Sequence, residues 1–124
     1  MINRLIILMT ILTIALSAEI TSFATSYKNG IANAKKHNKT LMIMFTSSDC
    51  KQCNYMQSSI YEDKKISNYI NKHFVYLELD KDANHGYNII IAPTVYFINS
   101  NGKRVGKIVG ARNPEVFLKE LKKY

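Results

Sequence analysis

The spacing of apolar positions predicts a helix and then a buried strand. Tyr27, Ile31 and Ala34 repeat at helical intervals and the polar stretch KKHNK follows them, which indicates an amphipathic helix ending near Asn38. Residues 41–45, LMIMF, form a continuous apolar run of strand length. Such runs are typical of central strands that are buried on both faces.

The apolar period changes at Cys50. Cys53, Met56 and Ile60 share one helical face, so we predict a helix that starts at or just before Cys50. Helical character resumes over residues 66–70, beyond the charged break EDKK. The chain therefore returns to helix after its first strand.

The second half of the chain predicts further strands and a closing helix. Residues 74–79 form the next apolar strand. Proline has no backbone N–H to donate to a neighbouring strand, so it is not tolerated inside a central strand. We therefore predict a loop that ends at Pro93 and a strand that starts at Thr94. The NSNG of residues 99–102 indicates a hairpin turn into a partner strand. The NPE of residues 113–115 is typical of a helix start.

This order of elements predicts an α/β fold. Helices between strands imply parallel pairing and the hairpin adds antiparallel strands, so we expect a central mixed β-sheet flanked by helices on both faces. With 124 residues and 47% apolar content, the chain suits one domain with one core.

The amino-terminal segment predicts export. A basic residue precedes an apolar run over residues 5–16, and the chain then turns small and polar, as in a secretory signal peptide. The run is shorter than the roughly 20 residues that cross a bilayer as a helix, although a retained anchor stays open. We expect residues 1–24 to be the signal, with cleavage after Ala24 or, as a second choice, Ala18. The domain of residues 25–124 would then reside in the periplasm.

The charge of the chain adds little to this interpretation. The formal net charge is +8 at pH 7, which would suit acidic partners or a membrane surface. The lysines are scattered, however, and form no basic stripe with interleaved aromatics. We therefore expect no nucleic-acid partner.

Two cysteines, Cys50 and Cys53, carry the candidate chemistry at the predicted helix start. Helix amino termini and Cys-x-x-Cys settings lower the cysteine pKa from about 8.5 to roughly 3.5–7.5. We predict that Cys50, the more exposed, attacks a partner disulfide and that Cys53, on the apolar face, releases the mixed disulfide. Lys51 would lower the pKa of the Cys50 thiol and Asp49 would raise it, so the two oppose each other.

Three other roles for the pair or the domain stay open. A disulfide that closes four residues constrains the unfolded chain little, so a structural staple is disfavoured. Thiolates also bind soft metals such as copper, but a closed zinc site needs four ligands and the three histidines lie at no recognisable ligand spacing. A redox-inactive interaction module is the last alternative. We assign no metal ligand and expect dithiol exchange without a cofactor.

Residues 26–124 resemble thioredoxin-like proteins. The resemblance is carried by DCKQC after an apolar strand, then APTVYFI, then NGKRVGKIVGA and the last amphipathic helix. The stretch AKKHNKTLMIMF is similar to exported members related to the carboxy-terminal domain of the membrane-bound thiol-disulfide electron transporter.

The resemblance implies a thioredoxin-like fold and a protein-disulfide oxidoreductase. It implies a cis bond between Ala92 and Pro93, with the Ala92 backbone binding an extended partner peptide beside Cys50 and Pro93 keeping metal away from the thiols. It favours reduction, although the sequence does not fix the direction. We expect disulfide-containing exported proteins as partners, a membrane thiol-disulfide electron donor, and a monomer.

Two departures from the family pattern accompany this resemblance. The family's most familiar motif is Trp-Cys-Gly-Pro-Cys, whereas this chain has Asp49, Lys51 and Gln52 in place of Trp, Gly and Pro. The common buried acid, six residues before the first cysteine, is Met44. Glu78 and Asp80 are the nearest acids by strand position, and we expect both to be solvated at a strand end.

Overall fold

The computed structural model describes residues 19–124, and residues 1–18 of the predicted signal lie outside the described residues. Its elements in chain order are α1 Tyr27–His37, β1 Thr40–Thr46, α2 Lys51–Tyr55 with a π-helical turn at Met56–Ile60, α3 Lys64–His73, β2 Phe74–Asp80, β3 Thr94–Ile98, β4 Arg104–Val109 and α4 Pro114–Leu121. Every helix and strand predicted from the apolar pattern is present. Across residues 19–124, no helix combines the length and apolar character that crossing a membrane requires.

The four strands form one mixed sheet in the order β2-β1-β3-β4. β1 pairs with β2 in parallel, with Met44 opposite Glu78, and with β3 antiparallel, with Phe45 opposite Thr94. β3 and β4 form the antiparallel hairpin. Residues 41–45 of β1 are all buried, which confirms the central position that their unbroken apolar run predicted.

Helices cover both faces of the sheet, as predicted. One face lies under α2, α3 and α4, and its core includes Met44, Cys53, Ile66, Phe97 and Phe117. The other lies under α1 and the loop before β3, and its core includes Ala34, Ile43, Phe45, Leu77 and Tyr87.

Side-chain caps set the helix boundaries. Asp63 accepts hydrogen bonds from the backbone N–H groups of Lys65 and Ile66, so α3 begins at Lys64, inside the charged stretch EDKK and not beyond it as predicted. Asn113 caps α4 through the N–H of Val116 at 2.9 Å, and Pro114 takes the first helical position. The sequence pattern predicted the start of α4 from the NPE of residues 113–115, but it treated EDKK as a break and did not identify Asp63 as a cap.

The segment before α1 packs against the outer edge of β2. Tyr76 donates its N–H to the Ser22 carbonyl at 2.8 Å and accepts from the Ala24 N–H at 2.7 Å. The Asn71 side chain accepts from the Thr21 N–H at 2.8 Å. Ile20 is 5% exposed. Residues 19–24 are therefore part of the folded domain.

Candidate active site

Cys50 and Cys53 form a disulfide between the end of β1 and the first turn of α2, with a Cα–Cα distance of 5.2 Å. Cys50 is the helix-capping residue and its backbone is extended. Its sulfur accepts the Cys53 N–H at 3.1 Å, and its carbonyl accepts the Asn54 N–H at 3.1 Å. The predicted helix start at Cys50 is confirmed.

The two sulfurs lie in different environments. Cys50 is half-buried at the surface, whereas Cys53 is 2% exposed and belongs to the core cluster that also contains Met56 and Ile60. This difference follows from helical spacing, because Cys53 lies on the inward face of its helix. A partner can therefore reach Cys50 while Cys53 stays covered.

Asp49 and Lys51 flank Cys50 and both are exposed. Asp49 has a φ of 54°, in the left-handed region that Asp tolerates better than most residues. That conformation turns the chain from β1 into the cap of α2. Because both charges face water, solvent screens their influence on Cys50.

The Ala92–Pro93 peptide bond is cis. Since Phe45 pairs with Thr94, Pro93 lies level with the end of β1, from which the chain continues to Cys50. Pro93 is buried and its carbonyl accepts the Gly110 N–H at 2.8 Å. Ala92 and Cys50 both pack against the core cluster that contains Cys53. The structure thus brings the predicted partner-binding element to the cysteine end of the sheet.

Two apolar side chains next to this element were missed by sequence reasoning. Ile90 is 81% exposed and Ile91 is 53% exposed, whereas Ile89 is buried. Three successive isoleucines are typical of a buried segment. Their apolar character therefore gives no indication that two of them are exposed. The signal available in the sequence was Pro93 itself, which excludes a central strand at that point.

A hydrogen-bonded cluster lies under the π-helical turn. The Tyr61 hydroxyl donates to the Met44 sulfur at 3.0 Å, and the Tyr76 hydroxyl donates to Glu78 Oε1 at 2.6 Å. Gln57 Nε2 donates to both Glu78 oxygens, at 3.2 and 3.3 Å. Glu78 is exposed, as predicted, but it is not merely solvated, because two side chains hold its carboxylate.

Burial raises the pKa of both tyrosines in this cluster. Tyr61 and Tyr76 are at most 4% exposed, and loss of hydration disfavours their charged forms. Both therefore remain neutral hydroxyl groups at neutral pH. A cavity of about 520 Å³ beside them is lined by residues that include Gln57, Glu62 and Glu78.

The described part of the chain offers no closed metal site. Within residues 19–124, no three His, Cys, Asp or Glu side chains are grouped so that they could hold a metal ion. The cysteine pair therefore lacks the further ligands that a closed zinc site requires.

The profile of the thioredoxin-like domain family matches residues 27–124. The TPR repeat-containing thioredoxin TDX of Arabidopsis thaliana is 38% identical over 84 residues, which make up 63% of this chain and 20% of that protein. This chain therefore spans about a fifth of that relative.

Solved structures share the fold. A thioredoxin from Thermus thermophilus superposes with a TM-score of 0.72 and 26% identity, covering 86% of both chains. The oxidised carboxy-terminal domain of DsbD from Neisseria meningitidis gives a TM-score of 0.63 at 17% identity, covering 75% of this chain and 87% of that one. At that identity the likeness shows the fold alone, so the resemblance to the transporter domain stays a prediction. The chain belongs to the thioredoxin-like domain family.

Proposed function

We propose that this protein is an exported thiol-disulfide oxidoreductase that reduces protein disulfides through Cys50 and Cys53. The observation that carries the proposal is the placement of the two sulfurs, one accessible at a helix cap and one covered directly behind it. An attacking and a resolving thiol need this difference in access.

The reaction transfers two electrons from the cysteine pair to the partner. The Cys50 thiolate attacks one sulfur of the partner disulfide, which forms a mixed disulfide and expels the other partner sulfur as a thiolate. Cys53 then loses its proton and attacks the Cys50 sulfur. The mixed disulfide breaks, the second partner sulfur leaves as a thiolate, and Cys50 and Cys53 end as the disulfide seen here.

The surface beside the pair suits an extended apolar partner segment. Ile90 and Ile91 project into solvent directly before the Ala92–Pro93 bond. Apolar side chains of a partner would cover these two isoleucines while the partner disulfide meets Cys50. A monomer leaves this surface free.

Export supplies the context for the direction of the reaction. Exported compartments are oxidising, so a reductase there needs a membrane thiol-disulfide donor to reduce it again.

The packing of residues 19–24 on β2 favours cleavage after Ala18 over cleavage after Ala24, because the second cut would remove these contacts. Sequencing the amino terminus of periplasmic protein tests this, and a start at Thr25 would contradict it.

Insulin reduction driven by dithiothreitol tests the proposed activity. We expect the protein to accelerate insulin precipitation and the Cys50→Ser variant to lose this acceleration entirely. Ser48→Ala, an exposed change two residues before Cys50, is the matched control and should behave as the wild type. Activity retained by Cys50→Ser would show the proposal to be wrong.

Equilibration with glutathione buffers tests the direction. A Cys50–Cys53 couple with a potential near that of thioredoxin, about −270 mV, supports a reductase. A couple near that of DsbA, about −120 mV, would instead indicate a disulfide donor.

A further inference from the structure

Phe23 is an aromatic residue that the fold holds at the surface. On either side of it, Ser22 and Ala24 form backbone hydrogen bonds with Tyr76, at 2.8 and 2.7 Å, so its position on the edge of β2 is fixed. Its ring meets the Tyr76 ring edge to face, with centroids 5.1 Å apart, yet the residue stays 56% exposed. Covering such a ring is favourable, so Phe23 indicates an interaction surface.

The cavity of about 520 Å³ opens beside this ring. Its apolar walls are formed by Ile20, by Phe23 and by the two buried tyrosines, Tyr61 and Tyr76. Pockets that bind ligands typically have volumes of about 300–1,000 Å³. The cavity is therefore large enough for one long side chain of a partner. We call it the Phe23 cavity.

The charges around the Phe23 cavity favour a cation as its occupant. Glu19, Glu62 and Glu78 line it and all three are exposed. They are three of the nine acidic residues in a chain whose formal net charge is +8. Among the described residues, no Lys, Arg or His lines this cavity, and Lys39 lines a separate one beside Phe23. Charge complementarity therefore disfavours an acidic or purely apolar occupant.

Glu78 is held in place before any ligand arrives. The Tyr76 hydroxyl donates to its Oε1 at 2.6 Å, and Gln57 donates to both carboxylate oxygens. Gln57 belongs to the π-helical turn Met56–Ile60, and such turns are frequent at functional sites. Since an ionised carboxylate has about four acceptor positions, Oε2 can still accept from a ligand. Binding therefore requires little further ordering of this side chain.

A guanidinium group fits this combination of ring and carboxylates better than an ammonium group does. It is planar, stacks on aromatic faces, pairs with carboxylates through a rigid fork of N–H donors and is the more weakly hydrated of the two. The exposed carboxylates leave the cavity open to a side chain that a protein surface presents.

We propose that the Phe23 cavity docks an arginine side chain of a partner protein. The guanidinium group covers the exposed ring of Phe23 and pairs with Glu62 and Glu78. Neither Cys50 nor Cys53 lines this cavity. The inference therefore goes beyond the proposed function and does not depend on it.

NMR titration of isotope-labelled protein that begins at Glu19 tests this proposal. The probe is the capped peptide acetyl-Gly-Arg-Gly-amide, and its citrulline counterpart has nearly the same shape without the charge. We expect the arginine peptide to shift the backbone amide signals of Phe23, Gln57 and Glu62 saturably. The lysine counterpart should bind more weakly, and the citrulline peptide about tenfold more weakly or less still.

Variants of the cavity locate the binding. Glu62→Gln and Glu78→Gln should each weaken binding of the arginine peptide about twofold to fivefold, as expected for exposed ion pairs. Glu115→Gln removes the same charge from an exposed acid outside the cavity and is the matched control. Phe23→Ala should weaken binding by a similar factor, whereas Tyr55→Ala, at an aromatic residue that is 38% exposed and outside the cavity, should not.

Several results would overturn the proposal. They are the absence of saturable shifts at the three amides, equal binding of the arginine and citrulline peptides, and an equal loss in Glu115→Gln. Tighter binding of the lysine peptide, or of free spermidine, would also overturn it, because the occupant would then be a different cation. Glu62 is exposed, so its variant should fold and keeps the test decisive even if Phe23→Ala disturbs the amino-terminal segment.

Discussion

The sulfur of Met44 accepts a hydrogen bond from the Tyr61 hydroxyl at 3.0 Å in the core beneath the helix that carries Cys53. Met44 is fully buried and Tyr61 is 4% exposed, so water cannot replace the contact. The side chain at this place is therefore more than an apolar filler. A thioether here satisfies a buried hydroxyl that a hydrocarbon would leave with fewer partners.

Replacing Met44 with Leu should lower the free energy of unfolding by about 1–2 kcal/mol, because the Tyr61 hydroxyl loses an acceptor. Met42→Leu, on the same fully buried face of β1, should cost about 1 kcal/mol less. Urea unfolding measures both. In a Tyr61→Phe background the difference between the two variants should shrink, and only the longer contact of the Tyr76 hydroxyl with the Met44 sulfur, at 3.4 Å, then remains. Equal losses in the wild-type background would contradict the role of the sulfur.

Stability should fall above about pH 10, the usual pKa of tyrosine. Burial raises the pKa of Tyr61 and Tyr76 in the folded state, so folding favours their neutral forms. Their contribution is complete below about pH 10 and is lost as the pH rises toward the folded-state pKa. Urea midpoints measured upward from pH 8 should fall less steeply in Tyr61→Phe than in the wild type. If the urea midpoints of the two proteins fell equally with pH, ionisation of Tyr61 would not explain the loss of stability.

The exposed isoleucines beside the cis bond should contribute to partner binding. Changing Ile90 and Ile91 together to Ser should raise the KM for insulin about threefold to tenfold, because apolar surface no longer becomes buried on docking. Reduction of DTNB, which is too small to cover this surface, should keep its rate. Val105→Ser, a change at a 40% exposed residue of β4, is the control and should alter neither reaction. Equal effects on insulin and DTNB would exclude a docking role.

The segment of residues 19–24 should contribute to stability. A chain that begins at Thr25 should unfold with a free energy about 2 kcal/mol lower than one that begins at Glu19, because it loses the burial of Ile20 and two backbone hydrogen bonds. Chemical denaturation of the two proteins checks this.

Asn71→Ala provides the matched test of that segment. Its side chain accepts the Thr21 N–H and donates to the Glu19 carbonyl at 2.8 Å in both cases. The substitution should therefore destabilise the longer chain and leave the shorter one nearly unchanged. Equal effects on both chains would mean that the segment adds no stability.

Features that depend on local chain pattern could be predicted from the sequence. The unbroken run of residues 41–45 predicted a buried central strand, and the NPE of residues 113–115 predicted the helix that Asn113 caps. The cap at Asp63 was missed, because the charged stretch EDKK hides the start of α3. The positions of Cys50 and Cys53 on different sides of their helix followed from helical spacing.

Contacts between distant segments could not be predicted in the same way. The bonds from Gln57 to Glu78 join residues 21 positions apart, and those of Asn71 reach back about 50 positions to the amino-terminal segment. Side-chain partners of this kind depend on how helices and strands pack, which periodicity does not encode. For the same reason, the sequence predicted only solvent around Glu78 and did not indicate that Ile90 is exposed.

Trapping the mixed disulfide tests the central claim most directly. Reduced Cys53→Ser protein should form a stable adduct with insulin in which mass spectrometry finds the partner joined through Cys50, because no second thiol remains to release it. Reduced Cys50→Ser protein should form little adduct, since Cys53 is covered. An adduct through Cys53 of equal yield, or none through Cys50, would contradict the account.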